Sequence, residues 1–191
     1  MLDSLELAIV ARAFDVHDVN LAADLDIYEP IAVEAQARSH FQGVAILVLI
    51  DVLRRRLKSP QAQFQALLKW LGQRSTEVMW ELRPAEAIDI LEALTVAGIQ
   101  NSALCGRVAR KVLLQLRAPG ALDLSELSRA AAAFAGQGHR NLPLLLGIAE
   151  QAAVLAPTAP GGNLAVARVL ESLAALGIDD VPDSLRSLNA S

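Results

Sequence analysis

The stretch ILEALTVAGI, residues 90–99, is the key to the fold, because a similar sequence recurs later in the chain. VLESLAALGI, residues 169–178, aligns with it without a gap, and the two stretches share two leucines, a glutamate and the final Gly-Ile pair. Midway between the two copies, AAAAFAGQGH at 130–139 places Phe134 and Gly138 at the matching positions. A recurrence at about 40 residues is typical of helical repeats, whose units bury faces against their neighbours.

The composition also favours helices. Hydrophobic residues make up 53% of the 191-residue chain, which is enough for a core, whereas aromatic residues make up only 4%. Strands are enriched in aromatic and β-branched residues, so an Ala- and Leu-rich chain of this kind indicates packed helices. We predict an all-α fold that forms one continuous array.

The array divides into five units, each a helix, a turn and a returning helix. We expect the units to begin near Asp3, Gln42, Pro84, Asp123 and Gly162, and to occupy residues 3–41, 42–82, 83–120, 121–160 and 161–191. Within the units, we expect turns at 18–20, 59–60, 98–101, 136–141 and 177–182, and loops between units at 119–120 and 157–162. Gly98, Gly138 and Gly177 stand where helix ends need a left-handed residue, Pro84 suits a first turn, and Ser125 follows Asp123 ahead of its helix. Pro30 is expected to kink or split the second helix of the first unit.

The third unit shows the expected burial most clearly. Polar residues recur every three positions from Glu86 to Thr95, which leaves a broad apolar surface on the first helix. In the second helix, Leu104, Val108 and Val112 continue one apolar stripe, with Cys105 beside it. The frequent alanines, such as those at 130–133, would let neighbouring helices approach closely.

Several classes of protein are disfavoured. The single cysteine, Cys105, allows no intrachain disulfide and favours a reducing compartment. The longest apolar run, at 44–50, is far shorter than the roughly 20 residues that a membrane-spanning helix needs. The N-terminus has the charge pattern of neither a secretory signal nor a transit peptide. We expect no membrane insertion.

No arrangement of residues points to catalysis. His17, His40 and His139 are far apart and have no second cysteine to complete a zinc site, and nucleotide-binding and nucleophile motifs are absent. Glu86, Asp89 and Glu92 share one helix face, which we interpret as a solvated surface. Trp70 and Trp80 lie in apolar contexts that favour core or interface positions over base stacking. We therefore expect no enzyme activity, no cofactor, no metal and no small-molecule substrate.

The charge distribution points instead to a macromolecular partner. Residues 1–40 carry a net charge of -6, residues 41–120 a net charge of +5 and residues 121–191 a net charge of -3. In the basic centre, two helix faces one unit apart could be aligned on one surface and contact phosphates or an acidic protein. The candidate nucleic-acid-binding residues on these faces are Arg54, Arg55, Lys58, Arg107, Arg110, Lys111 and Arg117.

The repeated phrase has a counterpart in a known family. A helix written LxxLExLxxLGI, followed by a second amphipathic helix at a period just under 40, resembles the heptatricopeptide-like and octotricopeptide-like repeats of organellar proteins, including those with FAST-kinase or RAP domains. The resemblance covers residues 84–180 well. It implies a right-handed α-solenoid that works in mitochondria or plastids, in RNA metabolism or as a subunit of an organellar ribosome.

Two departures narrow what the resemblance implies. The pattern offers no strands for a RAP or nuclease-like domain after Leu188, and the Pro-Pro-Pro-Glu-Trp signature is reduced to Pro84-Ala85-Glu86. We expect a non-enzymatic structural subunit of the mitochondrial ribosome, in the matrix, that contacts rRNA and neighbouring proteins. The alternative is a pure protein–protein scaffold in a respiratory or ATP synthase complex, which the low pI of about 5.4 favours.

Overall fold

The fold is described for most of the chain. The computed structural model describes residues 3–16, 28–38, 41–56, 62–118, 122–179, 181–182 and 185–186. Within these ranges, all regular secondary structure is helical, so the all-α prediction is confirmed. The α-helices are α1 Ser4–Val16, α2 Tyr28–Gln36, α3 Gly43–Arg56, α4 Ala62–Glu77, α5 Pro84–Val96, α6 Ser102–Gln115, α7 Leu124–Gly136, α8 Leu142–Leu155 and α9 Gly162–Ala175, with a 3-10 turn at Ala156–Thr158.

Helix starts follow local capping chemistry. The Asp123 carboxylate accepts a hydrogen bond from the backbone N–H of Glu126 at 2.7 Å, and the backbone N–H of Asp123 donates to the Glu126 carboxylate at 2.8 Å. Asp3 and Glu6 form the same reciprocal pair at the start of α1. These bonds satisfy backbone donors that the first helical turn leaves unpaired. Ser125 is the second residue of α7 and therefore lies inside the helix, not ahead of it.

The ends of α5, α7 and α9 share one geometry. Gly98, Gly138 and Gly177 have φ values of 70°, 63° and 66°, the left-handed conformation that glycine adopts without steric cost. After each glycine, the next backbone N–H donates to a carbonyl five residues earlier, as from Ile99 to Leu94 at 2.9 Å. The predicted role of the three glycines is confirmed.

The helices pack in two rows. In the odd row, α1 packs on α3, α3 on α5, α5 on α7 and α7 on α9; in the even row, α2 packs on α4, α4 on α6 and α6 on α8. Helices of the two rows also pack on each other, as α5 does on α6 and α7 on α8. One continuous core lies between the rows.

A buried glutamine at the end of α7 binds α5 and the turn that follows it. The side-chain amide of Gln137 donates to Thr95 Oγ1 at 3.1 Å and to the carbonyl of Ile99 at 2.8 Å. Its carbonyl oxygen accepts from the backbone N–H of Asn101 at 2.9 Å. Gln137 is only 8% exposed, and these hydrogen bonds replace those to water that the side-chain amide loses on burial.

The predicted apolar surfaces of the third unit are confirmed. Ile88, Ile90, Leu91 and Leu94 of α5 are buried, as are Leu104, Cys105, Val108 and Val112 of α6. In the alanine run of α7, Ala130, Ala131 and Ala133 are buried and Ala132 is exposed, and α7 packs extensively on α9. No helix in the described ranges is long and apolar enough to cross a membrane.

An expectation about one loop is wrong, and the one about Pro30 stays a prediction. Pro30 lies in the first turn of α2 as described, where its missing N–H costs no helical hydrogen bond; the residues before α2, where a kink or split would show, lie outside the described ones. The expected loop at 157–162 is partly helical, because it contains part of a 3-10 turn and the first residue of α9. The expected features at 18–20, 59–60 and 119–120 lie outside the described residues.

Candidate partner-binding surface

Arg54 and Arg55 of α3 are held within the odd row. Arg55 contacts the carboxylate of Asp51 at 2.5 Å and that of Asp15, on α1, at 3.3 Å. Arg54 contacts the carboxylate of Glu92, on α5, at 3.1 Å. Both guanidinium groups therefore connect neighbouring helices and are partly neutralised. Lys58, the third candidate of this group, lies outside the described residues.

Arg129 stands at the centre of this ion-pair network, although it was not among the sequence candidates. Its guanidinium contacts Asp89 and, at 2.6 Å, Glu92. Glu86 is paired with Arg83 at 2.8 Å. The three carboxylates, interpreted from the sequence as a solvated surface, are partly exposed, and each of them also binds an arginine.

The pKa shifts in this network have opposing causes. Burial lowers the pKa of Arg129, but hydrogen bonds to Glu92 and Asp89 outweigh it and raise the pKa above its ordinary value. Burial raises the pKa of Glu86, but hydrogen bonds from the side chain and backbone of Arg83 outweigh that effect, and the net shift is downward. Both shifts stabilise the charged forms of the groups in the folded protein.

A groove of about 500 Å³ lies over the network. Its charged lining residues are Arg12, Asp51, Arg54, Glu86, Asp89 and Arg129. Three of these groups are positive and three are negative; Arg129 and Asp89 bind each other, and Asp51, Arg54 and Glu86 bind other charged residues of the chain. The groove therefore favours neither an anion nor a cation as a ligand.

The basic face of α6 differs from that of α3 in its pairing. Arg107, Arg110 and Arg117 are exposed, and within the described residues none of the three has an ion-pair or hydrogen-bond partner. Lys111 is half-buried and donates a hydrogen bond to the backbone carbonyl of Met79 at 3.0 Å. Three of the four predicted α6 cations are thus available to a partner.

Large apolar side chains accompany these arginines. Leu114, which shares the exposed face of α6, is 59% exposed. Trp80 is 79% exposed, and the hydrogen bond between Lys111 and Met79 places the neighbouring backbone beside α6. Trp70, in contrast, packs edge-on against Phe41, with ring centroids 5.3 Å apart. Of the two tryptophans, Trp80 is therefore not a core residue.

The structure does not align the two predicted basic faces on one surface. Arg54 and Arg55 lie on α3, in the odd row, whereas Arg107, Arg110, Lys111 and Arg117 lie on or beside α6, in the even row. The odd-row arginines meet carboxylates of neighbouring helices, whereas the exposed α6 arginines meet solvent. We define the binding surface from here on as Arg107, Arg110, Leu114, Arg117 and Trp80.

Candidate metal ligands are sparse. Within the described part of the chain, no three His, Cys, Asp or Glu side chains are grouped so that they could hold a metal ion. His139 lies in the turn after α7, against the ring of Phe134. His17 and His40 lie outside the described residues.

Comparisons with known proteins add no identity. The chain matches no protein-family model, and none of the curated proteins matches it significantly. The resemblance to organellar helical repeats therefore stays a prediction.

Proposed function

We propose that the chain is an α-solenoid of about five helix-turn-helix repeats. Two rows of helices, three equivalent glycine turns and the spacing of the contacts between units support this. Thr95 of α5 donates to the carbonyl of Ala133, 38 residues later, and Arg140 donates to that of Gly177, 37 residues later. Bonds that recur at about one repeat length are what nearest-neighbour stacking requires.

We propose further that this solenoid is a non-enzymatic structural subunit of a large assembly, which it contacts through the binding surface. The observation that carries this function is the contrast between the rows. Arginines of the odd row bind carboxylates of the same chain, whereas the three arginines of α6 lie beside an exposed leucine and have no partner among the described residues. Unpaired arginines next to exposed apolar side chains are typical of interfaces with other macromolecules.

The resemblance to organellar repeats supports the mitochondrial ribosome, and therefore the matrix, as the setting. Contact with rRNA then falls to Arg107, Arg110 and Arg117, because Arg54 and Arg55 bind carboxylates and Lys111 donates to a backbone carbonyl. The second candidate is a scaffold that contacts protein alone, in a respiratory or ATP synthase complex. The exposure of Leu114 and Trp80 and the pI of about 5.4 favour it.

Ultraviolet and chemical crosslinking of the chain in its native complex tests this function. We expect a large assembly and crosslinks from the binding surface, which the double substitution Arg107→Glu and Arg110→Glu reduces. Arg168→Glu, at an exposed position of α9 in the odd row, is the matched control and should leave the crosslinks unchanged. A chain that migrates as a free monomer in native extracts would contradict the proposal.

A further inference from the structure

We infer that the binding surface accommodates an acidic amphipathic helix of a partner protein, lying alongside α6. The inference rests on the second candidate above, a scaffold that contacts protein alone, and names the partner that the surface fits. It depends on the arrangement of charge and apolar area along a single helix.

The apolar part of the surface lies among the cations. At 100° per residue, Leu114 falls between Arg107 and Arg110 on the helix circumference, and Arg117 follows just after the end of α6. Leu114 remains 59% exposed although the buried stripe of α6 is complete without it. A partner that covers this face must therefore supply apolar contact at its centre and negative charge around it.

Trp80 is a second exposed apolar side chain, and its backbone lies near α6. The bond from Lys111 to the carbonyl of Met79 holds the residue before Trp80 against the later turns of α6. At 79% exposure, the indole is open to a partner. Tryptophan contributes strongly to binding free energy where an interface excludes water. Trp80 is therefore suited to anchor the partner helix.

On the side of α8, no lysine or arginine of that helix adds to the positive charge of α6; on the other side, α4 carries the exposed Lys69. The sequence of α8 is LPLLLGIAEQAAVL, and its Glu150 is exposed. At Gly147, α8 also lacks a side chain: a β-carbon there would lie 3.0 Å from Leu116, at the end of α6. The cations of α6 thus form one line, with less polar ground on the side of α8. A single-stranded RNA can also follow one line of cations, so the exposed Leu114 and Trp80 are what favour a partner with apolar side chains.

The dimensions fit a helix. From Arg107 to Gln115, the last residue of α6, the helix extends about 12 Å, or just over two turns, and Arg117 lies just beyond its end. A partner helix with carboxylates on one edge and leucines on the adjoining face can bind the arginines and cover Leu114 together. Apolar anchors at helical spacing, with charges at the rim, are how amphipathic helices bind helical surfaces.

The test uses the full chain and labelled synthetic probes. The first probe is a peptide of about 18 residues, or five helical turns, with leucines on one face and glutamates along its edge. The second is the same peptide with lysines in place of the glutamates. The third is a single-stranded RNA with the same negative charge as the first peptide. We expect only the acidic peptide to bind well by fluorescence anisotropy, and more weakly as salt rises. Tighter binding of the RNA, or equal binding of the basic peptide, would overturn the inference.

Variants assign the binding to the surface. Arg107→Glu with Arg110→Glu, and separately Leu114→Ser, should each weaken the acidic peptide about tenfold. Arg168→Glu and Leu164→Ser, exposed positions on α9, should not. Circular dichroism checks that every variant is folded. If the native complex exists but the acidic peptide does not bind, this inference fails and the scaffold function stands; if no complex exists, the scaffold function fails.

Discussion

Two helical glycines, Gly136 and Gly106, have opposite surroundings. A β-carbon on Gly136 would lie 2.2 Å from Thr95 Cγ2, and Thr95 is held by a hydrogen bond to the carbonyl of Leu91 at 2.8 Å. A β-carbon on Gly106 would meet nothing within 4 Å. We expect Gly136→Ala to lower the free energy of unfolding by about 1–3 kcal/mol, because packed helices must separate. Gly106→Ala should raise it by about 0.5–1 kcal/mol through helix propensity. Urea unfolding measures both, and similar effects of the two changes would show that α7 does not pack this closely on α5.

Cys105 should make stability fall at alkaline pH. Burial raises the pKa of its thiol to about 11, whereas an unfolded cysteine ionises near pH ~8.5. Below the unfolded pKa the thiol is neutral in both states and its contribution to stability is fully present. As the pH rises from there towards 11, only the unfolded chain loses the proton, so the free energy of unfolding falls, by at most about 1.4 kcal/mol per pH unit from this group.

The control for the thiol is Cys105→Ala. The free energy of unfolding, measured with urea between neutral and alkaline pH, should fall more steeply for the natural chain than for the variant. The other titrating groups are the same in both proteins, so the difference reports Cys105. Parallel curves would mean that Cys105 is not protected from ionisation in the folded state.

At the scale of elements, Arg129 connects α7 to α5. Its side chain is 28% exposed and that of Glu92 is 24% exposed, so solvent only partly screens the pair. A double-mutant cycle with Arg129→Met and Glu92→Gln should give a coupling energy of about 1 kcal/mol, reduced by salt. The pair between Arg74 and Glu77, within α4 and more exposed, is the matched comparison and should give about 0.3 kcal/mol. Equal coupling energies would contradict a special role for Arg129.

The network also shows where prediction from the sequence stopped. The faces of α5 were predictable because period and polarity are local properties, and Gly98 was predictable because few residues adopt its conformation. The sequence around Asp89 does not show which helix packs against it, because that helix lies about 40 residues away in the chain. Charged residues recur about 40 positions apart on the helices of the odd row, and comparing their charges would have indicated the pair of Asp89 and Arg129. These residues are Arg12, Asp51, Asp89, Arg129 and Arg168.

The same limit applies to the candidate site. The sequence identifies the cations on α3 and α6, but their availability depends on neighbours a unit away. Arg54 binds Glu92 of the following unit, whereas Arg107 meets no carboxylate of the described residues. Exposure of Trp80 was equally hidden, because its apolar sequence context is also that of a core residue.

For the whole molecule, we expect stability to differ along the array. Helix α5 packs on α3, α4, α6 and α7, whereas the nine-residue α2 packs on α1 and α4. In an array held by nearest-neighbour contacts, the central helices open only after their neighbours. Backbone amides of α5 and α7 should therefore exchange with deuterium most slowly and those of α2 fastest. Uniform protection across these helices would indicate a single cooperative unit.

The recurring distance along the chain between bonded partners has a consequence for synthesis. Arg55 meets Asp15 across 40 residues, Arg129 meets Glu92 across 37, and Gln100 donates to the carbonyl of Gly136 across 36. No such junction requires the two ends of the polypeptide to find each other. A nascent chain can therefore complete each junction once the next ~40 residues have left the ribosome, and it can fold in the order in which it is made.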